Sequence, residues 1–336
     1  MKFGLVYDFR NPEPWRRPWA DFYAETLDHV AAVESMGFDT VWLTEHHFVK
    51  DGYLPSVLTM AAAVAGRTSR VTIGAGSVML LPLHDPLRVA EDAAVVDILS
   101  RGRLRMGFGI GYVEEEFEAF GVTRSARAPL LEESIEIIRK AWRPEPIRHT
   151  GTRWQLPEVD VHPKPLQEGG PQIYIGGRAE TPIRRAARIG DGAIIDARRL
   201  HWYYDELEKL GRTEQANACV YVLSTPTDDP EAAVAKCGPF VDYRQKEYVQ
   251  WYGAAGDLPS DRRAVEIMRG EREPSPRAAA LPSFLTPEAM LRELRSMADR
   301  GATEAWWFAT FPGLAPSETL PYWEVLASEV MPHLRS

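Results

Sequence analysis

Apolar residues recur along the chain in two alternating rhythms. Stretches with a period near 3.6 predict amphipathic helices, and short unbroken apolar runs predict strands buried on both faces. One unit, a helix, a glycine and then a strand, is clear five times. Residues 22–36 read as a helix stopped at Gly37 and feeding Thr40-Val41-Trp42-Leu43, and residues 87–100 end near Gly102 and feed Leu104-Arg105-Met106-Gly107-Phe108. The unit returns as helix 180–189, Gly190 and strand 192–195; as helix 200–210, Gly211 and strand 218–223; and as helix 287–300, Gly301 and strand 304–309. Glycine suits the left-handed residue that ends a helix. Asp85-Pro86 and Thr286-Pro287 mark helix starts, each with a capping oxygen before a proline in the first turn.

Strands near 3–7, 71–75 and 172–175, with helices near 56–67, 127–142 and 317–331, fill the gaps and give eight strands alternating with about eight helices. This is an α/β chain, and a closed (β/α)8 TIM barrel is the expected architecture, one domain over residues 1–336. An open doubly wound sheet would place a glycine-rich phosphate turn after its first strand, and Tyr7-Asp8-Phe9-Arg10-Asn11-Pro12 has none. Two insertions break the rhythm. Residues 143–170, after strand four, are rich in proline and predict a small hairpin; residues 225–283, after strand seven, predict two or three short helices. Part of 253–283, dense in Gly, Pro, Ser, Arg and Ala, is expected to form a lid.

Composition narrows the function classes. Lys and Arg number 39 against 48 acidic residues, a formal charge of −9, and no basic run interleaved with aromatics appears, so nucleic acid is not an expected partner. No apolar run reaches membrane-spanning length, and Met1 leads straight into a strand without a signal-peptide pattern, so a cytoplasmic enzyme is expected. Cys219 and Cys237 show no metal or disulfide spacing and are read as reduced thiols.

In a barrel of this kind the residues just after each strand line the active-site face. Strand two ends in Glu45-His46-His47, which makes His46 the candidate general acid or base. His84 could join these as a third metal ligand, but the HxH spacing of barrel metallohydrolases is absent and no metal site is expected. After strand three, Gly74 to Pro82 combines small residues with an apolar run, leaving room at Ser77 and Val78 for a planar ring. Strand four ends Gly107-Phe108-Gly109-Ile110-Gly111; Gly109 and Gly111 let a ring or sugar chain approach the backbone, or else mark a bulge with tight packing. Strand five runs through Ile175 into Gly176-Gly177-Arg178 just before a helix. Helix amides, permissive glycines and a guanidinium together predict a phosphate site.

These residues resemble the bacterial-luciferase-like flavin-dependent monooxygenases. The resemblance covers Glu45-His46-His47, Leu54-Pro55-Ser56, Pro82-Leu83-His84-Asp85-Pro86, Arg88-Val89-Ala90-Glu91, Leu99-Ser100-Arg101-Gly102-Arg103, Gly107 to Gly111, Phe120-Gly121, Gly176-Gly177 and Gly190-Asp191-Gly192. It implies a barrel using reduced FMN, supplied by a separate flavin reductase, and molecular oxygen to oxidise a small organic substrate. It also implies His46 beside the flavin, a non-prolyl cis peptide at Ser77–Val78 under the ring, and a phosphate held by Gly176, Gly177 and Arg178. Glu91, Asp97 and Arg103 match too and read as buried or half-buried charges tying the third helix to the next strand. Ile110 stands where some members carry a phosphate-directed arginine, which leaves a deazaflavin coenzyme and hydride transfer as the alternative. A non-catalytic flavin binder is the third reading, and a homodimer is implied by resemblance alone. Tyr7, Phe48, Tyr112, Trp306 and Trp307 suggest an apolar substrate pocket.

Overall fold

The computed structural model describes residues 1–254 and 284–335. Eight parallel strands close a barrel: β1 (Lys2–Tyr7), β2 (Thr40–Leu43), β3 (Thr72–Met79), β4 (Leu104–Phe108), β7 (Gln172–Gly176), β8 (Gly192–Ile195), β9 (Ala218–Tyr221) and β12 (Glu304–Phe308), with β12 pairing back onto β1. Around it lie α1 (Trp19–Ser35), α2 (Val57–Arg67), α3 (Pro86–Ser100), α4 (Glu114–Ala119), α5 (Arg127–Ala141), α6 (Glu180–Ile189), α7 (Leu200–Lys209), α8 (Pro230–Ala254), α9 (Pro287–Asp299) and α10 (Leu320–Val325). The expected barrel is therefore present. In the first break of the rhythm, β5 (Ile147–Thr150) and β6 (Gln155–Val159) form an antiparallel hairpin; at the second, β10 (Thr225–Pro226) pairs with β11 (Phe284–Leu285).

Strand alternation separates two cores. Phe3, Leu5, Val41, Ile173, Ile175 and Trp307 point outward and pack beneath the helices, whereas Val6, Trp42, Tyr174, Ile194, Cys219 and Trp306 fill the barrel. Trp42 and Trp306 lie 4.4 Å apart by ring centroid. Their bulk requires glycine opposite: a Cβ at Gly74 would overlap the Trp42 indole, and one at Gly192 the Tyr174 ring. Polar atoms inside the barrel converge on buried Glu304, which accepts from Thr40 Oγ1 (2.5 Å), Trp42 Nε1 (2.9 Å), Trp306 Nε1 (2.6 Å) and the Arg105 guanidinium (3.2 Å). A buried carboxylate persists only when its lone pairs are matched in this way.

The helix signals act as read, with one exception. Asp85 Oδ1 accepts from the Leu87 and Arg88 amides, and Thr286 caps α9. Gly37, Gly102, Gly211 and Gly301 have positive φ, but Gly190 does not (φ −92°); a Cβ there would press on the Ala186 and Gly192 carbonyls, so close backbone approach explains that glycine. The second insertion departs from expectation. In place of short helices, α8 continues for 25 residues through Gly238-Pro239. Ala233, Cys237 and Val241 form one apolar stripe on Phe284, Phe311, Leu314 and Tyr322, and this packing outweighs the local breakers. The lid expected in 253–283 lies almost wholly outside the described residues.

Of the charges expected to tie α3 down, Asp97 and Arg103 do so. Asp97 accepts from Gln167, whose amide also reaches Leu104 O, and Arg103 donates to Ser100 O at the end of α3 as well as to the Val71 and Thr68 carbonyls. Glu91 instead makes a surface pair with Arg88, because it faces solvent on α3.

His29, buried on α1, accepts at Nδ1 from the Tyr7 hydroxyl (2.8 Å) and donates from Nε2 to Thr319 Oγ1 (2.9 Å), whose own proton goes to a backbone carbonyl. That arrangement suits the neutral ring, and burial pushes its pKa down to about 4. An unfolded histidine titrates near 6.5, so this residue's contribution is complete above that pH and is lost as pH falls toward 4, by roughly 3 kcal/mol. Urea unfolding of wild type and His29→Gln between pH 7 and 4 is expected to show the wild type losing that extra stability; parallel pH profiles would contradict it.

Candidate active site

The mouth is built from the strand ends, beginning with β1. Phe9 sits in the left-handed region (φ +56°), an uncommon conformation for a bulky residue, and its ring is held against Tyr7 and Tyr23. Around this turn Asp8 and Arg10 are both buried, and Arg10 Nε donates to Asp51 Oδ2 at 2.6 Å. Asp51 also accepts from the Tyr243 hydroxyl of α8 (3.1 Å). The Arg10 guanidinium lies over the rings of Tyr53, Tyr243 and Trp251.

His46, 5% exposed, is fixed at both nitrogens. Nδ1 lies 2.9 Å from Glu116 Oε1 and Nε2 lies 2.9 Å from the Tyr112 hydroxyl. A carboxylate only accepts, so Nδ1 carries the proton in the neutral ring, and Nε2 is the basic atom, turned toward Tyr112. The same Glu116 oxygen accepts the His47 amide (2.8 Å). Trp251 of α8 lies 4.7 Å from the His46 ring, and Tyr53, bonded through its hydroxyl to Tyr248 (2.8 Å), packs edge-on to it. Helix α8 thus reaches His46 from above.

Glu45 holds a neighbouring cluster. It accepts the Leu80 amide at 2.6 Å and His84 Nε2 at 3.1 Å, with His47 Nε2 3.5 Å away. Burial alone would raise this carboxyl, but the two imidazoles outweigh it and hold the pKa at about 2, so Glu45 stays charged and clamps the β2 and β3 loops together. The donor atoms of Glu45, His47 and His84 lie within 4.8 Å of one another, a spacing that a divalent ion could also bridge.

The residues expected to bind a cofactor fall into two groups. Val78, Gly109 and Gly176 meet: a Cβ at Gly109 would overlap Val78 Cγ1, and one at Gly176 would lie 2.7 Å from Val78 Cγ2. The space these glycines leave is filled by Val78, which is the tight-packing reading of the Gly107–Gly111 run. Gly111 (φ +73°) turns the chain over Phe117 and Leu80, and Ser77 is buried beside the bulge between Ala75 and Met79. Among the described residues the one cis peptide is His162–Pro163, so the expected cis bond at Ser77–Val78 is not present; Gly76, with φ +88°, makes the bend of β3 instead. Ile175 points into the core under the helices, which leaves only its backbone at the mouth.

The second group lies at α6. Gly177 N–H donates to Ile194 O (3.2 Å), and a Cβ at Gly177 would meet Pro182 at 3.0 Å, so this glycine serves helix packing. Ala179 occupies the N-cap position without a side-chain cap, and Arg178 is exposed beside it. The same first turn carries Glu180, which pairs with Arg184 at 2.7 Å.

Several mouth residues had only weak signals in the sequence. Glu116 follows β4 in an acidic run, and Asp8 and Arg10 follow β1, so inspection of every strand end would have found them; Tyr243, Arg244, Tyr248 and Trp251 had no such signal. Among the aromatics, Tyr112 reaches His46, whereas Tyr7 and Trp307 point to the outer core, Trp306 lies inside the barrel and Phe48 is exposed.

The Val78 packing has a direct test. Gly109→Ala is expected to cost about 1–3 kcal/mol as an overpacked site, and adding Val78→Ala to recover most of it in denaturant unfolding. Additive losses would show that Val78 is not the obstacle.

The model of the luciferase-like monooxygenases matches residues 1–304. Among similar proteins, the oxygenase component of the flavin-dependent trigonelline monooxygenase of Acinetobacter baylyi is 30% identical over 212 residues, covering 62% of this chain and 58% of that one. The alkanal monooxygenase alpha chain of the Kryptophanaron alfredi symbiont is 30% identical over 218 residues, covering 65% and 58%. The matches thus span less than two thirds of these relatives' lengths. Monooxygenase RslO1 from Streptomyces bottropensis superposes with a TM-score of 0.82 at 23% identity, over the whole of both chains. Two further structures share the fold at a TM-score of 0.75: the 3,6-diketocamphane monooxygenase of Pseudomonas putida in complex with FMN (18% identity, 99% and 98% covered) and the coenzyme F420-dependent tetrahydromethanopterin reductase of Methanopyrus kandleri (16%, 99% and 99%). On the match across residues 1–304, with the barrel and its mouth as described, the chain belongs to the luciferase-like monooxygenase family.

Proposed function

We propose that the chain is the oxygenase of a flavin-dependent monooxygenase, using reduced FMN from a separate reductase and molecular oxygen to oxidise a small organic substrate. The observation that carries this reading is the fixed tautomer of His46: Glu116 holds the proton on Nδ1, and Nε2 can take or return a proton through Tyr112 at the barrel mouth. Reduced flavin, when bound, supplies the electrons that activate oxygen. The chain supplies a held proton at His46, aromatic walls from Tyr53 and Trp251, and cover from α8 that limits water. Arg178 and the first turn of α6 would hold the phosphate, with Gly176 and Gly177 keeping the backbone there clear of side chains, and Ser77, Val78, Gly111 and the backbones of Gly109 and Ile175 would lie along the ring or its side chain. FMN is preferred to a deazaflavin because the sequence relatives named above are an alkanal monooxygenase and a flavin-dependent trigonelline monooxygenase. The second of these is an oxygenase component, which supports a reductase on a separate chain.

Anaerobic titration with reduced FMN, followed by oxygen, tests the reading. Saturable binding and a return of oxidised-flavin absorbance slower than for free reduced FMN are expected. Binding followed by reoxidation at the free rate would favour a mere flavin carrier, and failure to bind FMN alongside binding of a deazaflavin would favour hydride transfer. His46→Ala is expected to keep reduced-FMN affinity within several-fold and to slow oxygen-dependent turnover by roughly 10²-fold; unchanged turnover would remove His46 from the chemistry. Arg178→Ala is expected to weaken FMN much more than riboflavin, and equal losses would place the phosphate elsewhere.

A further inference from the structure

Three arginines are buried among the described residues, namely Arg10, Arg185 and Arg244. Arg10 is paired with Asp51 at 2.6 Å and Arg185 with Glu132 at 2.5 Å. Arg244, on α8 and 8% exposed, makes one long hydrogen bond, to Thr310 O at 3.4 Å. Otherwise its guanidinium lies over the rings of Phe308 (4.7 Å) and Phe311 (5.4 Å), and no carboxylate of the described residues pairs with it. A guanidinium has five N–H donors in a planar fork, and the described residues take up one of them.

A second unmatched group faces the same region. Asp8 is 1% exposed; its Oδ1 accepts the Arg10 amide at 3.3 Å, and its Oδ2 has no hydrogen-bond partner. Arg10 is the stronger charge influence on Asp8 and Arg244 the next, and neither guanidinium is in ion-pair contact with it among the described residues. Burial is the largest influence on both and disfavours both charges, raising the Asp8 carboxyl and lowering the Arg244 guanidinium. A cation and a carboxyl that could neutralise each other by touching are instead held apart, as the two sides of a polar subsite would be.

We propose that Arg244 is a specificity-determining residue that binds the carboxylate of a small planar acid substrate, with Asp8 Oδ2 placed to accept from a donor group elsewhere on the same molecule. The proposal rests on the monooxygenase reading for the fate of the acid and not for its binding. A carboxylate matches the guanidinium fork with two parallel bonds. Phe308, Tyr248 and Tyr53 give the aromatic surroundings that suit a flat body. Trp251 follows Arg244 by seven residues on the same helix, about 10 Å along its axis, and lies against His46, so an acid held by Arg244 is directed toward the proton-handling residue. This subsite is distinct from the phosphate position proposed at α6: it lies by β12 and β1, separated from β7 by β8 and β9.

The test is calorimetric titration of the full chain, without flavin, with sodium benzoate and with benzamide, its neutral isostere. Saturable benzoate binding at least about tenfold tighter than benzamide is expected, with Arg244→Met losing at least about tenfold in benzoate affinity and Arg244→Lys losing less. Equal affinity for the two probes, or no binding of either, would overturn the proposal without recourse to any variant. So would an Arg244→Met protein that binds benzoate as the wild type does. Benzoate binding by a chain that fails to bind reduced FMN would leave the acid subsite standing and the flavin reading refuted.

Discussion

Closing eight short parallel strands around two indoles and a phenol is the constraint on which the rest depends. The barrel interior has a fixed width, and Trp42, Trp306 and Tyr174 occupy it only because Gly74 and Gly192 offer no side chain where those rings lie. Large rings against bare backbone give a filled centre. The indole N–H groups need an acceptor in that dry space, and Glu304 provides it while Arg105 balances its charge. With the centre filled, the polar groups that can serve chemistry are those at the strand ends, where loops can be long and varied without disturbing closure.

At the mouth, the same demand that buried charge be matched decides which residues are structural and which are poised to act. Glu45 is satisfied by His84 and the Leu80 amide, and its low pKa marks a clamp that does not titrate in the neutral range. Arg10 pairs with Asp51 through Nε. His46 differs, because Glu116 fixes one nitrogen while the other meets a hydroxyl that can give or take a proton. Arg244 differs again, with a carbonyl at 3.4 Å and aromatic faces in place of a counterion. Function is assigned to the groups whose hydrogen-bonding capacity the fold leaves incompletely used.

Helix α8 connects these observations. Its apolar stripe of Ala233, Cys237 and Val241 seats it on Phe284, Phe311 and Tyr322, and this anchorage brings Tyr243 to Asp51, Tyr248 to Tyr53 and Trp251 to His46. One packing interface, remote from the candidate chemistry, thereby sets the cover over it. The pairing of Thr225 with Phe284 ties the start and the end of the insertion to the same rim.

The alternation of helical and strand periods, with Asp85-Pro86 and Thr286-Pro287 as starts, determined the barrel and its element order, because these are local properties of consecutive residues. Position after a strand was enough to single out His46 as a candidate, since in this architecture the strand ends line the mouth. What the Gly109 and Gly176 spaces hold could not be read locally: both are filled by Val78, a residue distant in sequence from Gly176. Nor could the partners of His46, the continuation of α8 through Gly238-Pro239, or the separation of Asp8 from Arg244. These depend on packing between segments that meet only when the barrel closes, and contacts of that kind leave no periodic trace in the sequence.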